Sequence, residues 1–241
     1  MLTRLKPYLR RSKTLVGLVT RVRRLRSLSR VPLRPWAIRS YLASHPMRKL
    51  QIGSGVTILD GWLCTDFEPV HGRMVYMDAT RRFPFAADTF DYVFSEHMIE
   101  HVAYRSGLAM LHECHRVLKP GGVIRIATPD LAVLLGLYIR EPDVRQRLYV
   151  AWISERYLEN GVRGPVHVIN NAFRSWGHQF LYDGDILQSA MREAGFQNVR
   201  RYDHSQSDDP NLRGLESHGR SVGNEEMNVF ETMVFEGVCA K

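Results

Sequence analysis

The chain has 241 residues, of which 44% are hydrophobic and 24% charged, which suits one domain with a buried core and an appendage. The net charge of +8 is uneven, because residues 1–59 hold 14 Lys or Arg and no acid, whereas the remainder holds 19 basic and 25 acidic residues. A mildly acidic body argues against a domain that grips polyphosphate, and no apolar run reaches the roughly 18 residues of a membrane span. The cysteines Cys64, Cys114 and Cys239 lie far apart, which argues against disulfides or a zinc knuckle and favours a cytoplasmic protein.

Residues 2–29 are predicted to form a basic amphipathic helix, because Leu and Val recur every three or four positions with Arg between them. Such a helix suits an anionic membrane surface, where each nearby Lys or Arg contributes about 1 kcal/mol. Packing on a partner such as a glycosyltransferase, simple solvation, or an organellar transit peptide are alternatives. Membrane binding would make the protein peripheral at the inner membrane face. Pro32 and Pro35 are predicted to end the helix, so residues 1–40 are assigned to an arm and linker.

From residue 41 onward the pattern alternates between strands and helices. It predicts an α/β domain over 41–241, with a Rossmann-like, seven-stranded, mostly parallel sheet and one antiparallel strand. Strands are predicted at 49–52, 62–66, 74–77, 90–95, 122–128, 197–202 and 229–239, and helices at 104–118, 131–140, 143–159 and 184–194. The mostly helical insertion at about 131–180 is predicted to form a lid over the carboxyl ends of the strands.

A glycine turn follows the first strand, in Leu50-Gln51-Ile52-Gly53-Ser54-Gly55. Glycines let the backbone turn tightly and let a ligand approach closely, although such turns are common. The second strand ends at Asp66, whose carboxylate can accept hydrogen bonds from both ribose hydroxyls of a nucleoside or simply be a solvated acid. Nine residues separate Ile52 from Trp62, fewer than the dozen or so of a parallel crossover, so the first crossover helix is predicted to be missing or cut to a turn. That shortfall argues against an ordinary NAD-binding unit.

Further motifs follow at the ends of the next strands. Met77-Asp78-Ala79 ends the third strand, and Ser95-Glu96-His97 ends the fourth, where chemistry is expected in an open α/β sheet. Asp78 can accept a hydrogen bond from an adenine amino group. A helix, a Pro-Gly-Gly turn and a buried strand then follow in Leu111–Gly122.

This order of motifs resembles the class I S-adenosylmethionine-dependent methyltransferases. The closest likeness is to a bacterial branch associated with cell-envelope polysaccharide synthesis, which shares the short first crossover. That branch also shows a GHxxLYD segment, here Gly177–Asp183, and a DDPxLRGLE segment, here Asp208–Glu216. The resemblance covers about residues 48–240 and leaves the arm out.

The resemblance implies S-adenosylmethionine as the cofactor, with Asp66 on its ribose and Asp78 near its adenine. The implied cofactor-binding residues are Gln51, Gly53, Ser54, Gly55, Asp66, Asp78, Ala79, Ser95 and Glu96. The chain departs from the family at Gln51, where many members have Asp or Glu, and at Ser54, where many have Cys. A third glycine is also absent. Gln51 can still bond the cofactor's ammonium, but without charge assistance.

The family likeness implies O-methylation of a sugar or a related small or envelope substrate. A hydroxyl acceptor gains about 10²–10⁴-fold from a general base. His97 is the first candidate because it follows the fourth strand and titrates near neutrality; the alternatives are His101, His178 and Asp130. Each histidine also suits a structural hydrogen-bonding role. On the lid, Asn170, Asn171, Arg174 and Trp176 offer the polar and aromatic groups that suit a sugar ring, among other ligands.

Two other functions remain open. One is a non-catalytic module with a methyltransferase fold, whose arm docks at a membrane or a glycosyltransferase. The other is an RNA methyltransferase, which the Leu/Val-striped arm and the lack of a recognisable RNA-binding module disfavour, so a nucleic-acid partner is not expected. No metal site is predicted, because HExxH and Cys/His zinc spacings are absent.

Overall fold

The structure, a computed structural model, describes residues 31–241. The amphipathic helix predicted for residues 2–29, with its membrane or glycosyltransferase contacts, lies outside the described residues. None of the helices described has the length and apolar character that crossing a bilayer requires.

Seven strands and eight α-helices alternate along the described residues. The strands are β1 Lys49–Ile52, β2 Leu63–Asp66, β3 Val75–Tyr76, β4 Phe90–Glu96, β5 Leu118–Pro129, β6 Phe196–Tyr202 and β7 Thr232–Cys239. The helices are α1 Arg34–Ser44, α2 Tyr104–Val117, α3 Leu131–Gly136, α4 Val144–Tyr157, α5 Pro165–Arg174, α6 Gly184–Glu193, α7 His218–Val222 and α8 Glu225–Glu231. Short 3-10 turns cover Val31–Leu33 and Ile99–His101.

The strands form one sheet in the order β3-β2-β1-β4-β5-β7-β6. Strands β1 to β5 pair in parallel, and β7 runs antiparallel to both β5 and β6. This confirms the predicted Rossmann-like sheet with one antiparallel strand. Because Ile52 pairs with both Thr65 and Ser95, the carboxyl ends of β1, β2 and β4 meet at one edge of the sheet.

The first crossover lacks a helix, as the short spacing predicts, and a distant segment takes over its packing role. β1 and β2 are joined by a loop. Leu212 and Leu215, from the loop between β6 and α7, pack with Trp62, Cys64 and Phe94 on the sheet face that such a helix would cover. Burying these apolar groups offsets the missing helix.

A buried ion-pair network fixes that loop to the sheet. The guanidinium of Arg125 on β5 is fully buried and contacts Glu216 at 2.6 Å and Glu236 on β7 at 2.5 Å. Arg125 Nη1 also donates to the carbonyl of Gln206. A buried charge needs partners of this kind, because its desolvation cost is large. The network therefore holds residues 206–216 across the centre of the sheet.

Residues 34–40, expected to be linker, belong to α1 instead. Pro35 lies in the first turn of this helix, where a missing N–H costs nothing, so the proline starts a helix here. Ile38 and Tyr41 are buried in the core. The Tyr41 hydroxyl donates to the carbonyl of Lys49 at 2.9 Å, which ties α1 to β1 across the predicted boundary at residue 40.

The insertion after β5 forms a second apolar layer. Helices α3, α4, α5 and α8 share a cluster whose buried members are Leu134, Leu137, Tyr149, Ile153, Val168, Ala172, Leu181 and Met227. Helix α3 ends at Gly136, earlier than predicted, and α5 and α8 were not predicted. The strand predicted from residue 229 begins at Thr232, because residues 225–231 form α8. Asn224 caps the start of this helix by accepting from the backbone N–H of Met227.

Candidate functional site

The glycine turn after β1 is bonded directly to the end of β2. Gly53 and Gly55 have φ angles of +69° and +56°, a left-handed region that side chains rarely adopt. The backbone N–H of Gly55 donates to Asp66 Oδ2 at 2.8 Å. A Cβ on Gly53 would overlap the side chain of Met98. The turn therefore presents backbone atoms to a ligand, and we call it the glycine cradle.

The two acids predicted to hold a nucleoside have different surroundings. Asp66 accepts one N–H on each oxygen, from Gly55 and from Glu68, so each oxygen keeps a lone pair for a ligand. Asp78 accepts from the backbone and hydroxyl of Thr80 and contacts Arg81 at 3.1 Å. Asp78 also borders a cavity of about 470 Å³. That cavity is lined by Val31, Arg34, Phe67, Tyr76, Met77, Asp78, Arg81, Arg82 and Pro84.

Two buried polar atoms at the same edge have no partner among the described residues. These are Gln51 Oε1 on β1 and Ser95 Oγ on β4. A buried polar atom without a partner is costly, so each is a candidate to bond a ligand. Together with the bare glycine cradle, they fit a polar amino-acid group bound at the ends of β1 and β4.

Three other predicted cofactor residues are already engaged within the protein. Ser54 Oγ donates to the carbonyl of Thr65, and Ala79 is part of the apolar core. The Glu96 carboxylate accepts the backbone N–H groups of Ser217 and His218 at 2.9 Å, at the start of α7. Burial raises the pKa of Glu96, and those N–H groups oppose the rise. Their assignment to the cofactor stays a prediction.

A second cavity of about 210 Å³ opens next to the end of β4. It combines four histidines and two glutamates with aromatic walls. Its lining residues are His97, Glu100, His101, Trp152, Ile153, Tyr157, Trp176, His178, His218, Val222 and Glu231. Helix α4, within the insertion after β5, supplies Trp152, Ile153 and Tyr157 to this cavity.

The first-choice base, His97, is held at both ring nitrogens. Nδ1 lies 3.3 Å from Glu100 Oε1, and Nε2 lies 3.0 Å from the hydroxyl of Thr232. Burial works against a charge on His97, but Glu100 outweighs it and raises the pKa of the ring. Burial likewise works against ionisation of Glu100, but His97 outweighs it and lowers the pKa of the carboxyl to about 2. This geometry favours a charged His97–Glu100 pair that positions neighbouring residues. It disfavours His97 as a free general base.

Two other histidines are kept neutral by their surroundings. The His218 ring stacks on His97 with centroids 4.0 Å apart, and burial followed by the charge of His97 lowers its pKa to about 3. Burial also lowers the pKa of His178. His178 Nδ1 lies 2.8 Å from the carbonyl of Ala172 and so carries the proton, which leaves Nε2 with its lone pair.

Asp130, the remaining predicted base, lies outside the lining of the histidine cavity. Its side chain caps α3 by accepting from the backbone N–H of Ala132, and it contacts Arg201 at 2.8 Å. These contacts give Asp130 a structural role. Of the four lid residues expected at a sugar ring, Trp176 lines the cavity and the other three do not.

Sequence reasoning missed His218, Glu231, Trp152 and Tyr157. His218 lies two residues after the end of the DDPxLRGLE segment, so its position near a family motif was the available signal. Glu231 and the α4 aromatics carry no local signal, because only packing of the lid on the sheet brings them to the cavity.

Comparisons with known proteins match one segment of the chain to a family model. Residues 62–126, about a quarter of the chain, match the family model described as a methyltransferase domain. No protein with a curated description matches the sequence.

Solved structures with a similar fold include several methyltransferases. A SAM-dependent methyltransferase from Archaeoglobus fulgidus is 16% identical, covers 88% of this chain and 94% of its own, and has a TM-score of 0.46. One from Thermotoga maritima is 17% identical over 93% of this chain and 95% of its own, with a TM-score of 0.45. The phosphoethanolamine N-methyltransferase 2 of Haemonchus contortus, in complex with S-adenosyl-L-methionine, is 15% identical, with a TM-score of 0.44. The match covers 84% of this chain and 53% of that protein.

These identities say nothing about a shared substrate. The family match covers β2, β3, β4 and most of β5, four of the five strands that pair in parallel. Residues 62–126 therefore resemble a methyltransferase domain and lie on a Rossmann-like sheet, and S-adenosylmethionine is the cofactor that such a domain uses.

Proposed function

We propose that this chain is an S-adenosylmethionine-dependent methyltransferase whose acceptor is a hydroxyl of a sugar or a related small or envelope substrate. The observation that carries the proposal is the position of Ser95, Glu96 and His97. Ser95 lies at the edge with the glycine turn and has an unpartnered buried hydroxyl, whereas His97 lines the histidine cavity. Three consecutive residues thus run from the sheet edge where the cofactor would bind to the cavity where the acceptor would bind. Methyl transfer between two bound molecules needs the two sites to be adjacent in this way.

On the cofactor side, the chain's own residues bind and orient S-adenosylmethionine. When bound, S-adenosylmethionine supplies a methyl group from its sulfonium, and the bonding electron pair stays on sulfur as the acceptor oxygen forms the new bond. Asp66 has free lone pairs for the ribose hydroxyls, and Gln51 Oε1 can accept from the ammonium. Gly53 and Gly55 allow close backbone approach.

On the acceptor side, the cavity offers aromatic faces and neutral imidazoles. Trp152, Tyr157 and Trp176 form a contiguous aromatic wall, with ring centroids 5.0–5.9 Å apart in successive pairs. Such faces suit the apolar side of a sugar ring, while imidazole nitrogens suit its hydroxyls. His178 Nε2 has the lone pair that can accept a hydroxyl hydrogen.

Titration calorimetry with S-adenosylhomocysteine tests the cofactor site. We expect the wild-type chain to bind, and Asp66→Asn to bind about 10–100-fold more weakly, because hydrogen bonds to a charged acceptor contribute about 1.5–3 kcal/mol. The exposed acid Asp60 is the control, since its ion-pair partner is the exposed Arg73, and Asp60→Asn should bind as the wild type does. A wild-type chain that gives no heat would refute the enzymatic proposal and favour the non-catalytic module.

The acceptor class needs a separate measurement. The family likeness and the aromatic wall both favour a sugar hydroxyl. Mass spectrometry of envelope glycans from cells with and without the gene should show a methylated sugar that disappears with the gene. An unchanged set of methylated sugars would remove the sugar acceptor while leaving the cofactor site intact.

A further inference from the structure

We propose that Glu100, His101 and His178 bind a divalent transition-metal ion, Zn²⁺ by their chemistry, in the histidine cavity. One ligand atom from each residue lies within 4.8 Å of the other two. A tetrahedral ion with bonds of about 2.1 Å holds its ligands about 3.4 Å apart, so movements of about 1 Å close the site. No sequence pattern predicts this site, because Glu100 and His101 are adjacent but His178 is distant along the chain.

Glu100 provides an independent sign, because one oxygen of its buried carboxylate makes no hydrogen bond. Its side chain is fully buried, and Oε1 makes no hydrogen bond to any of the described residues. The ion pair with His97 Nδ1 at 3.3 Å offsets part of the cost of burying this oxygen. A metal ion would supply the bond that the oxygen lacks. Glu100 lines the same cavity as both histidines.

Outer contacts orient the three candidate ligands. Glu100 Oε2 accepts from the hydroxyl of Thr128 at 3.0 Å, which leaves Oε1 for the cavity. His178 Nδ1 bonds the carbonyl of Ala172, which fixes the tautomer with Nε2 unprotonated. Metal-binding histidines in proteins generally have a carbonyl or carboxylate on the second ring nitrogen in this way. His178 therefore already has the form that a metal ligand requires.

Backbone contacts bring the distant ligand into place. The backbone N–H groups of Gln179 and Phe180 donate to the carbonyl of Glu100, and the Gln179 side chain donates to the carbonyl of His101. Trp176 has a φ of +60°, a left-handed conformation that is costly for a bulky side chain. Such strain concentrates at functional sites. It persists here at the turn that delivers His178 to Glu100 and His101.

The ligand set selects the kind of ion. Two imidazoles and one carboxylate with a vacant position form the pattern of catalytic zinc sites, whereas Mg²⁺ prefers oxygen ligands. The aromatic wall lines the same cavity as the three candidate ligands. An acceptor hydroxyl bound there would lose its proton to solvent more readily, since Zn²⁺ lowers the pKa of bound water to about 7. This role rests on the proposed function and would replace the hydrogen bond that His178 Nε2 accepts from the hydroxyl when no metal is bound, but the metal site itself does not rest on that function.

Metal titration of the full-length chain, stripped with a chelator, tests the inference. We expect one Zn²⁺ per chain, with Co²⁺ binding at the same site and giving a visible absorption spectrum, and Mg²⁺ failing to compete. His178→Ala and Glu100→Gln should each weaken Zn²⁺ binding by at least about 100-fold, because loss of an outer-shell contact alone costs about 10–100-fold. Glu100→Gln keeps the side-chain shape in case His178→Ala does not fold.

The control is His112→Ala, which removes an exposed histidine on α2, and it should bind as the wild type does. Equal affinity in wild type and His178→Ala, or the absence of a stoichiometric site, would overturn the inference. Loss of Zn²⁺ binding in His97→Ala, together with unchanged Zn²⁺ binding in His178→Ala, would also overturn the inference, because the ligands would then be other residues than those proposed. Cofactor binding is measured separately: binding of S-adenosylhomocysteine without Zn²⁺ refutes only the metal site, and binding of Zn²⁺ without S-adenosylhomocysteine refutes only the methyltransferase.

Discussion

At the residue scale, three of the four histidines of one cavity have different surroundings and therefore different chemical states. His97 has its pKa raised by Glu100 despite burial, whereas His218, stacked on the same ring, has its pKa lowered to about 3. His178 is fixed in one tautomer by Ala172. The sequence predicted that His97, His101 and His178 are candidates for chemistry, but the partner of each ring depends on tertiary contacts that no spacing encodes.

The depressed pKa of His218 predicts acid sensitivity. In the unfolded chain this ring titrates near 6.5, and in the fold near 3. The unfolded state therefore binds an extra proton between those values, and the stabilisation present above about pH 6.5 is lost as pH falls toward 3, by up to about 1.4 kcal/mol per pH unit. His97 has the opposite sign, since its raised pKa contributes stability below about pH 6.5 that is lost as pH rises.

Urea unfolding of the chelator-treated chain near pH 7 and near pH 5 measures the effect. His218→Phe should lose less stability between the two values than the wild type, because it lacks the proton uptake on unfolding. His167→Phe, at an exposed histidine on α5, should retain the wild-type pH dependence. Parallel pH profiles for wild type and His218→Phe would contradict the assignment of a neutral, buried ring.

At the element scale, the loop between β6 and α7 has two functions. Leu212 and Leu215 cover the sheet face exposed by the short first crossover, and the Glu96 carboxylate holds the start of α7 over the end of β4. This places His218 in the histidine cavity. The loop therefore belongs to the core and the site together, and it is fixed by the network of Arg125, Glu216 and Glu236.

Breaking that network should destabilise the whole domain. Glu216→Gln leaves the buried Arg125 guanidinium with one charged partner instead of two, and a broken buried ion pair costs about 3–5 kcal/mol. The free energy of unfolding from urea titration should fall by an amount of that order. Glu159→Gln, at an exposed acid after α4, should change it by less than about 0.5 kcal/mol. Equal stability of both variants would show that the network does not hold the loop.

At the scale of the whole molecule, periodicity and spacing predicted the sheet better than the site. The strand pattern and the nine-residue gap after Ile52 predicted the seven-stranded sheet and the absent first helix, because both are local properties of the chain. Pro35 was predicted to lie in a linker, but it lies in the first turn of α1. The meeting of His178 and His218 with Glu100 depends on lid and loop packing over a long sequence separation, so sequence patterns could not predict it.

A crystal structure of the chain with S-adenosylhomocysteine tests the central claim most directly. We predict that both ribose hydroxyls contact the Asp66 carboxylate, that the amino-acid group lies over Gly53 beside Gln51, and that the sulfur faces the cavity of His97 and His178. A ligand bound elsewhere, or bound with its sulfur turned away from that cavity, would contradict the proposed transfer.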